Sequence, residues 1–136
     1  MHGLELRFEG GRAVDVRAEN GAEAIRSQLD LDEHASCLGE IALVDGTSRI
    51  GRTGITFKDT LFDENAASHI AYGRGITLAV DGAVGLPPEE QQRLGVNQSI
   101  VHTDFMVGGP ELRIDGLNHA GGTVPIIHGD VWMLPA

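Results

Sequence analysis

The chain has 136 residues, 41% of them apolar, and a formal net charge of −10. This composition predicts a globular domain rather than a disordered chain, and the acidic balance excludes a nucleic-acid partner bound through Lys and Arg clusters. No apolar run is long enough for a membrane span, and the N-terminus lacks the apolar core of a signal peptide. Because Cys37 is the single cysteine, no internal disulfide can form, and a cytoplasmic location is expected.

The first elements predicted are a hairpin and a helix. Apolar residues alternate over Leu4–Phe8 and Ala13–Val16 on either side of a Glu-Gly-Gly turn, which predicts two paired strands. Asn20 and Glu23 then have the spacing of a capping box, which predicts that a short amphipathic helix begins at Asn20.

The middle of the chain predicts short elements separated by turns. A second helical turn is expected to end at Gly39 in a left-handed cap, with a strand beginning at Glu40. A helix is expected to hold His69 in its second turn. Residues 75–82 read as a buried strand, and two prolines open a polar helix closed by Gly95.

The C-terminal part of the chain predicts strands. Residues 99–108 alternate strongly, and three short apolar segments follow at 112–116, 123–127 and 131–134. The fold class predicted is α+β: a single strand-rich domain over residues 1–136 with a mixed sheet and a few short helices.

The strand at residues 99–108 carries the first candidate ligands. Successive side chains of a strand point to opposite faces, so His102, Asp104 and Met106 share one side. The other side is apolar enough to be core and consists of Val101, Thr103, Phe105 and Val107. An imidazole and a carboxylate can thus reach into one cavity, although a polar side facing solvent explains the pattern equally well.

The second candidate pair is Glu64 and His69. They are five residues apart, which on a continuous helix separates them by about 140°. They can converge if Glu64 precedes the helix, while the alternative makes Asp63 and Glu64 ordinary acidic residues at a helix N-terminus. Glu40, at the start of a strand, carries little information by itself.

Together these candidates form a ligand set of three carboxylates and two imidazoles: Glu40, Glu64, His69, His102 and Asp104. Such a set suits zinc, manganese or cobalt. A water shared by two such ions becomes a hydroxide near neutral pH, which suits amide hydrolysis.

Four ordered motifs resemble the C-terminal metal-binding region of the M29 metallo-aminopeptidases, the aminopeptidase T family: LGEIALV, TLFDENAASHIAYG, GVNQSIVHTDFMVGG and ELRIDG. The resemblance covers nearly the whole chain. It implies a dinuclear site that removes N-terminal amino acids from peptides through a metal-activated water, in a homodimer. Glu40 matches the bridging carboxylate, and Glu64, His69, His102 and Asp104 match the other ligands. No general base is identified.

Two departures from the family pattern accompany this resemblance. A further glutamate ligand of the family lies upstream of LGE, in an N-terminal domain that this sequence does not include. Ile76 also stands where the family usually has tyrosine, and Tyr72 lies four residues earlier. Weak or no activity is therefore expected of the chain by itself. The alternative function is a non-enzymatic metal-binding or dimerisation domain.

Overall fold

The computed structural model describes residues 2–135 and confirms the α+β class. The helices are α1 (Ala22–Leu29), α2 (Thr60–Asp63) and α3 (Pro88–Arg93). The strands are β1 (Glu5–Glu9), β2 (Arg12–Arg17), β3 (Leu38–Ala42), β4 (His69–Gly73), β5 (His102–Met106), β6 (Arg113–Leu117), β7 (Thr123–His128) and β8 (Val131–Trp132). They form small sheets of order β1-β2, β3-β4-β5 and β6-β7-β8, rather than the one mixed sheet expected.

The chain divides into two compact units, and unit 1 consists of residues 2–40 and 70–104. The predicted hairpin is confirmed here, since β1 and β2 pair antiparallel. Helix α1 lies against β2 and buries Ile25. Tyr72 of β4 is fully buried and Val96 nearly so, which gives this unit a core of its own.

Unit 2 consists of residues 41–69 and 105–135. The three predicted C-terminal strands are confirmed as β6, β7 and β8, with antiparallel pairing. Ile127 of β7 is fully buried. The buried hydroxyl of Ser68 accepts a hydrogen bond from the Val44 N–H at 3.0 Å and donates one to the Val44 carbonyl at 2.8 Å.

Two predictions in the first forty residues are wrong. Helix α1 is capped by Gly21, at φ 80°, with no side-chain hydrogen bond, so Asn20 does not begin a capping box. Glycine adopts this left-handed conformation without a steric penalty and leaves Asn20 outside the helix. The segment before β3 forms turns, and Gly39 lies within that strand instead of ending a helix.

Two predictions around residues 60–82 are also wrong. Residues 75–82 contain only a short 3₁₀ turn at Thr77–Ala79, and Leu78 is 84% exposed, so this segment is not a buried strand. The strand in this part of the chain is β4, which comes before the predicted segment and ends at Gly73. Gly73 has φ 96°. His69 begins β4 and is not part of a helix, because the chain is already extended at Ala67.

The remaining predictions agree with the structure. Helix α3 begins at the predicted prolines, and Gly95 follows it at φ 96°. Strand β5 lies within the segment predicted for it. Among residues 2–135, no helix has the length and apolar character needed to cross a membrane.

Candidate metal centre

Three of the predicted ligands come together in unit 1. Glu40 of β3 and His102 and Asp104 of β5 each offer a ligand atom, and these atoms all lie within 4.8 Å of one another. The Nε2 atom of His102 lies 3.3 Å from Oε2 of Glu40 and 3.4 Å from Oδ1 of Asp104. One imidazole nitrogen thus faces two carboxylates, which is the arrangement expected of a small cation site.

A backbone hydrogen bond determines which nitrogen of His102 is available. Its Nδ1 lies 2.8 Å from the carbonyl oxygen of Arg74. A carbonyl oxygen can only accept, so Nδ1 carries the hydrogen and donates it. In the neutral ring, Nε2 then keeps its lone pair on the side of Glu40 and Asp104. Histidine ligands are commonly oriented in this way by a partner on the second nitrogen.

Asp104 supplies the strongest local indication that a cation belongs here. Its side chain is only 9% exposed, and Oδ1 is buried without a hydrogen-bond donor among the described residues. A buried carboxylate oxygen without a donor is costly, because it has lost its hydration. A divalent cation would replace that hydration, so the residues present fit a metal ion.

Close packing against the backbone at Arg74 determines the position of β3, which carries Glu40. A Cβ atom added to Gly39 would lie 2.5 Å from the carbonyl oxygen of Arg74, the same oxygen that orients His102. Glycine is therefore required immediately before Glu40. In the sequence, Gly39 has the signature of a helix cap, so its actual role in close strand packing was missed.

The other two predicted ligands come together in unit 2. Glu64 and His69 each offer a ligand atom, and the two atoms lie within 4.8 Å of each other. Glu64 begins a 3₁₀ turn after α2, and the extended Ala67 leads into β4. The 140° separation expected for a continuous helix does not apply, because no continuous helix joins them. The imidazole is 3% exposed, and its Nδ1 donates to the carbonyl of Ala67 at 3.1 Å.

Two neighbouring polar residues have other partners. The Asp63 carboxylate accepts a hydrogen bond from the Phe57 N–H at 2.8 Å. The Tyr72 hydroxyl donates to Oε1 of Gln28 at 2.5 Å inside the core, and burial raises the pKa of Tyr72. A buried, hydrogen-bonded phenol is unsuited to proton transfer with a substrate, so Tyr72 does not take the place of the tyrosine that the family usually has at position 76.

Sequence reasoning also missed Arg74. Its contribution to the site comes from the backbone carbonyl, and a backbone group has no signature in the side-chain pattern. The only signal available was its position between Gly73 and Gly75, where bare backbone allows close approach.

The cluster in unit 1 has the carboxylate and imidazole groups that metalloproteins use as ligands. Comparisons with known proteins show the family. The model of the thermophilic metalloproteases (M29) matches residues 1–132. The chain therefore belongs to the M29 family of metallopeptidases, as the motifs indicated.

Similar proteins are aminopeptidases by name. The chain is 47% identical to aminopeptidase T of Thermus aquaticus over 134 residues, 98% of this chain. It is 42% identical to aminopeptidase 2 of Geobacillus stearothermophilus over 97% of this chain. The structure of wild-type AmpT from Thermus thermophilus superposes with a TM-score of 0.84 at 45% identity, over 97% of this chain. The chain spans 32% of the length of each of these relatives.

Proposed function

We propose that this chain is the metal-binding domain, over residues 1–136, of an aminopeptidase that releases N-terminal amino acids from peptides. Zinc, cobalt or manganese would be held by Glu40, His102 and Asp104. On the family resemblance, Glu64 and His69 would hold a second ion. The observation that carries this proposal is the buried Oδ1 of Asp104. No hydrogen-bond donor reaches it from residues 2–135, and it lies beside an imidazole nitrogen and a second carboxylate.

When bound, the ions would supply Lewis-acid polarisation and activation of water near neutral pH. The chain's own residues prepare that chemistry. Glu40 and Asp104 bring two negative charges, and the Arg74 carbonyl keeps the Nδ1 proton of His102 away from the ligand atom. Burial of Asp104 limits competition from water. These groups orient the donor atoms before binding, which lowers the reorganisation needed on binding.

Net charge favours a substrate with a free amine. Glu40 and Asp104 are used by the metal, so the attraction for the ammonium group of a peptide N-terminus comes from the other acidic residues of a chain of net charge −10. An uncharged, acetylated N-terminus lacks that attraction. We therefore assign an exopeptidase, not an endopeptidase, role to the site. A cytoplasmic location and a homodimer accompany this proposal on the family resemblance.

Calorimetric titration of the purified chain with zinc or cobalt tests the binding step. Asp104→Asn keeps the size of the side chain and removes one ligand charge. Wild-type protein should bind the metal, and the variant should bind it at least about tenfold more weakly, since affinity depends on deprotonated ligands. Asp81→Asn, in an exposed turn, is the matched control and should bind as wild type. Equal binding by wild type and Asp104→Asn would contradict the proposal.

Hydrolysis of a leucyl anilide tests the catalytic step. Metal-dependent turnover by wild type that Asp104→Asn abolishes would support aminopeptidase activity, and acetylation of the substrate amine should remove it. Turnover that is equal in both proteins would contradict the assignment.

The second candidate function is metal binding without catalysis, and Ile76 is the observation that favours it. This residue stands where the resemblance places tyrosine, and its side chain cannot transfer a proton. Zinc binding that depends on Asp104, with no turnover by this chain or by a longer protein that contains it, would select this function.

A further inference from the structure

The side chain of Asp32 lies outside the ligand set but is joined to it by hydrogen bonds. We propose that Asp32 is a positioning residue for His102, acting through Ser99, Val101 and Arg74. The proposal rests on the metal site proposed above and adds a residue that neither the ligand chemistry nor the spacing of the motifs indicated.

We call the series of hydrogen bonds from Asp32 to His102 the relay. Its first part joins Asp32 to the residues just before β5. Oδ2 of Asp32 accepts hydrogen bonds from the Ser99 hydroxyl and from the Ile100 N–H, both at 2.9 Å. Oδ1 accepts from the His34 N–H, also at 2.9 Å. The Oδ2 atom of Asp32 therefore fixes Ser99 and Ile100, while the hydrogen bond from the His34 N–H to Oδ1 holds the carboxylate itself in place.

The second part runs from Ser99 to the imidazole. The Ser99 hydroxyl oxygen accepts from the Val101 N–H at 3.0 Å. The Val101 carbonyl accepts from the Arg74 N–H at 2.7 Å, and the Arg74 carbonyl accepts from Nδ1 of His102 at 2.8 Å. Each group in the series donates to the one before it, and the backbone of Val101 and Arg74 connects the successive hydrogen bonds. The carboxylate therefore acts on the ligand ring by fixing the positions of these backbone segments.

The charge of Asp32 strengthens the relay. The hydrogen bond from the Ile100 N–H, together with that from the Ser99 hydroxyl, lowers the pKa of the Asp32 carboxyl below its ordinary value. The group is therefore ionised at neutral pH. Ionised acceptors form stronger hydrogen bonds than neutral ones, so the charge of Asp32 holds Ser99 and Ile100 firmly in place. The Arg74 carbonyl is thus held in the position that selects the Nδ1–H form of His102.

Nitrogen-15 NMR of the metal-free protein tests this role directly, because it reports which ring nitrogen of His102 carries the hydrogen. At a pH where the ring is neutral, wild type should show the Nδ1–H form. Asp32→Ala and Ser99→Ala each break the relay at a different point, and both should shift the ring toward the Nε2–H form. A merely structural role for Asp32 would lower stability without changing the tautomer. Asp30→Asn, an exposed acidic residue nearby, is the control and should leave the tautomer unchanged.

Zinc affinity gives the second measurement. Loss of a partner that orients a ligand typically weakens metal binding about 10–100-fold, so both relay variants should show a Kd raised by that factor. Folded variants that keep the Nδ1–H form and bind zinc within twofold of wild type would overturn the proposal. The tautomer is measured without metal, so it distinguishes failure of this proposal from failure of the proposed function, in which wild type itself binds no zinc.

Discussion

Gly73→Ala is a sharp test of the packing that brings β4 and β5 together. Gly73 has φ 96°, a left-handed conformation that costs an L-residue about 1–2 kcal/mol. An added Cβ would also overlap the carbonyl oxygen of Val101 and lie 2.8 Å from its carbonyl carbon. Both atoms belong to the backbone, so they cannot rotate away. Overpacking of this kind costs about 1–3 kcal/mol more.

The expected loss for Gly73→Ala is therefore about 2–5 kcal/mol, a large part of the roughly 5–15 kcal/mol of a typical domain. Gly95→Ala is a matched control, because Gly95 has the same φ of 96° and nothing within 4 Å of its added Cβ. The control should lose only about 1–2 kcal/mol. Urea unfolding followed by circular dichroism measures both. Equal losses in the two variants would refute the claim that close packing against Val101 requires glycine at position 73.

Three further predictions concern the core and the C-terminal sheet. Ile127→Ala should lose about 2–5 kcal/mol of unfolding free energy, because it leaves a cavity at a fully buried position; a loss under 1 kcal/mol would contradict that burial. Tyr72→Phe removes the hydrogen bond to Gln28 and should cost about 0.5–1.5 kcal/mol by the same urea assay, whereas an unchanged midpoint would show that this bond adds no stability. The hydrogen bond from His128 lowers the pKa of Asp115. The ionised Asp115 therefore stabilises the folded state fully above the ordinary carboxyl pKa, and this contribution is lost as pH falls through the lowered pKa of Asp115. Wild type should therefore exceed Asp115→Asn in thermal stability at pH 6 and lose that advantage toward pH 2, and a constant difference would oppose this assignment.

Strand alternation predicted that His102 and Asp104 share one face of a strand, because local sequence and tertiary packing agree there. His102 and Asp104 lie on β5 as the two-residue period requires, and both reach the cluster with Glu40. The hairpin and the C-terminal strands were predicted for the same reason, since each is a short alternating segment between turn residues. Local periodicity was sufficient for these elements.

The errors occurred where backbone contacts decide the structure. His69 follows a run of residues that favour a helix, yet the chain is extended from Ala67 onward and pairs as β4. Gly39 was predicted to end a helix but lies where two backbone segments pack closely. Those requirements come from groups distant in the sequence, and no local pattern of side chains encodes them.

The most direct test of the metal site is a crystal structure of the chain grown with zinc, with anomalous data collected at the zinc absorption edge. We expect an anomalous peak bound by Nε2 of His102 and by carboxylate oxygens of Glu40 and Asp104, at about 2.0–2.2 Å. The Arg74 carbonyl should still accept the hydrogen from Nδ1. Zinc found only at surface histidines such as His2 or His119, with the Glu40, His102 and Asp104 cluster empty, would contradict it.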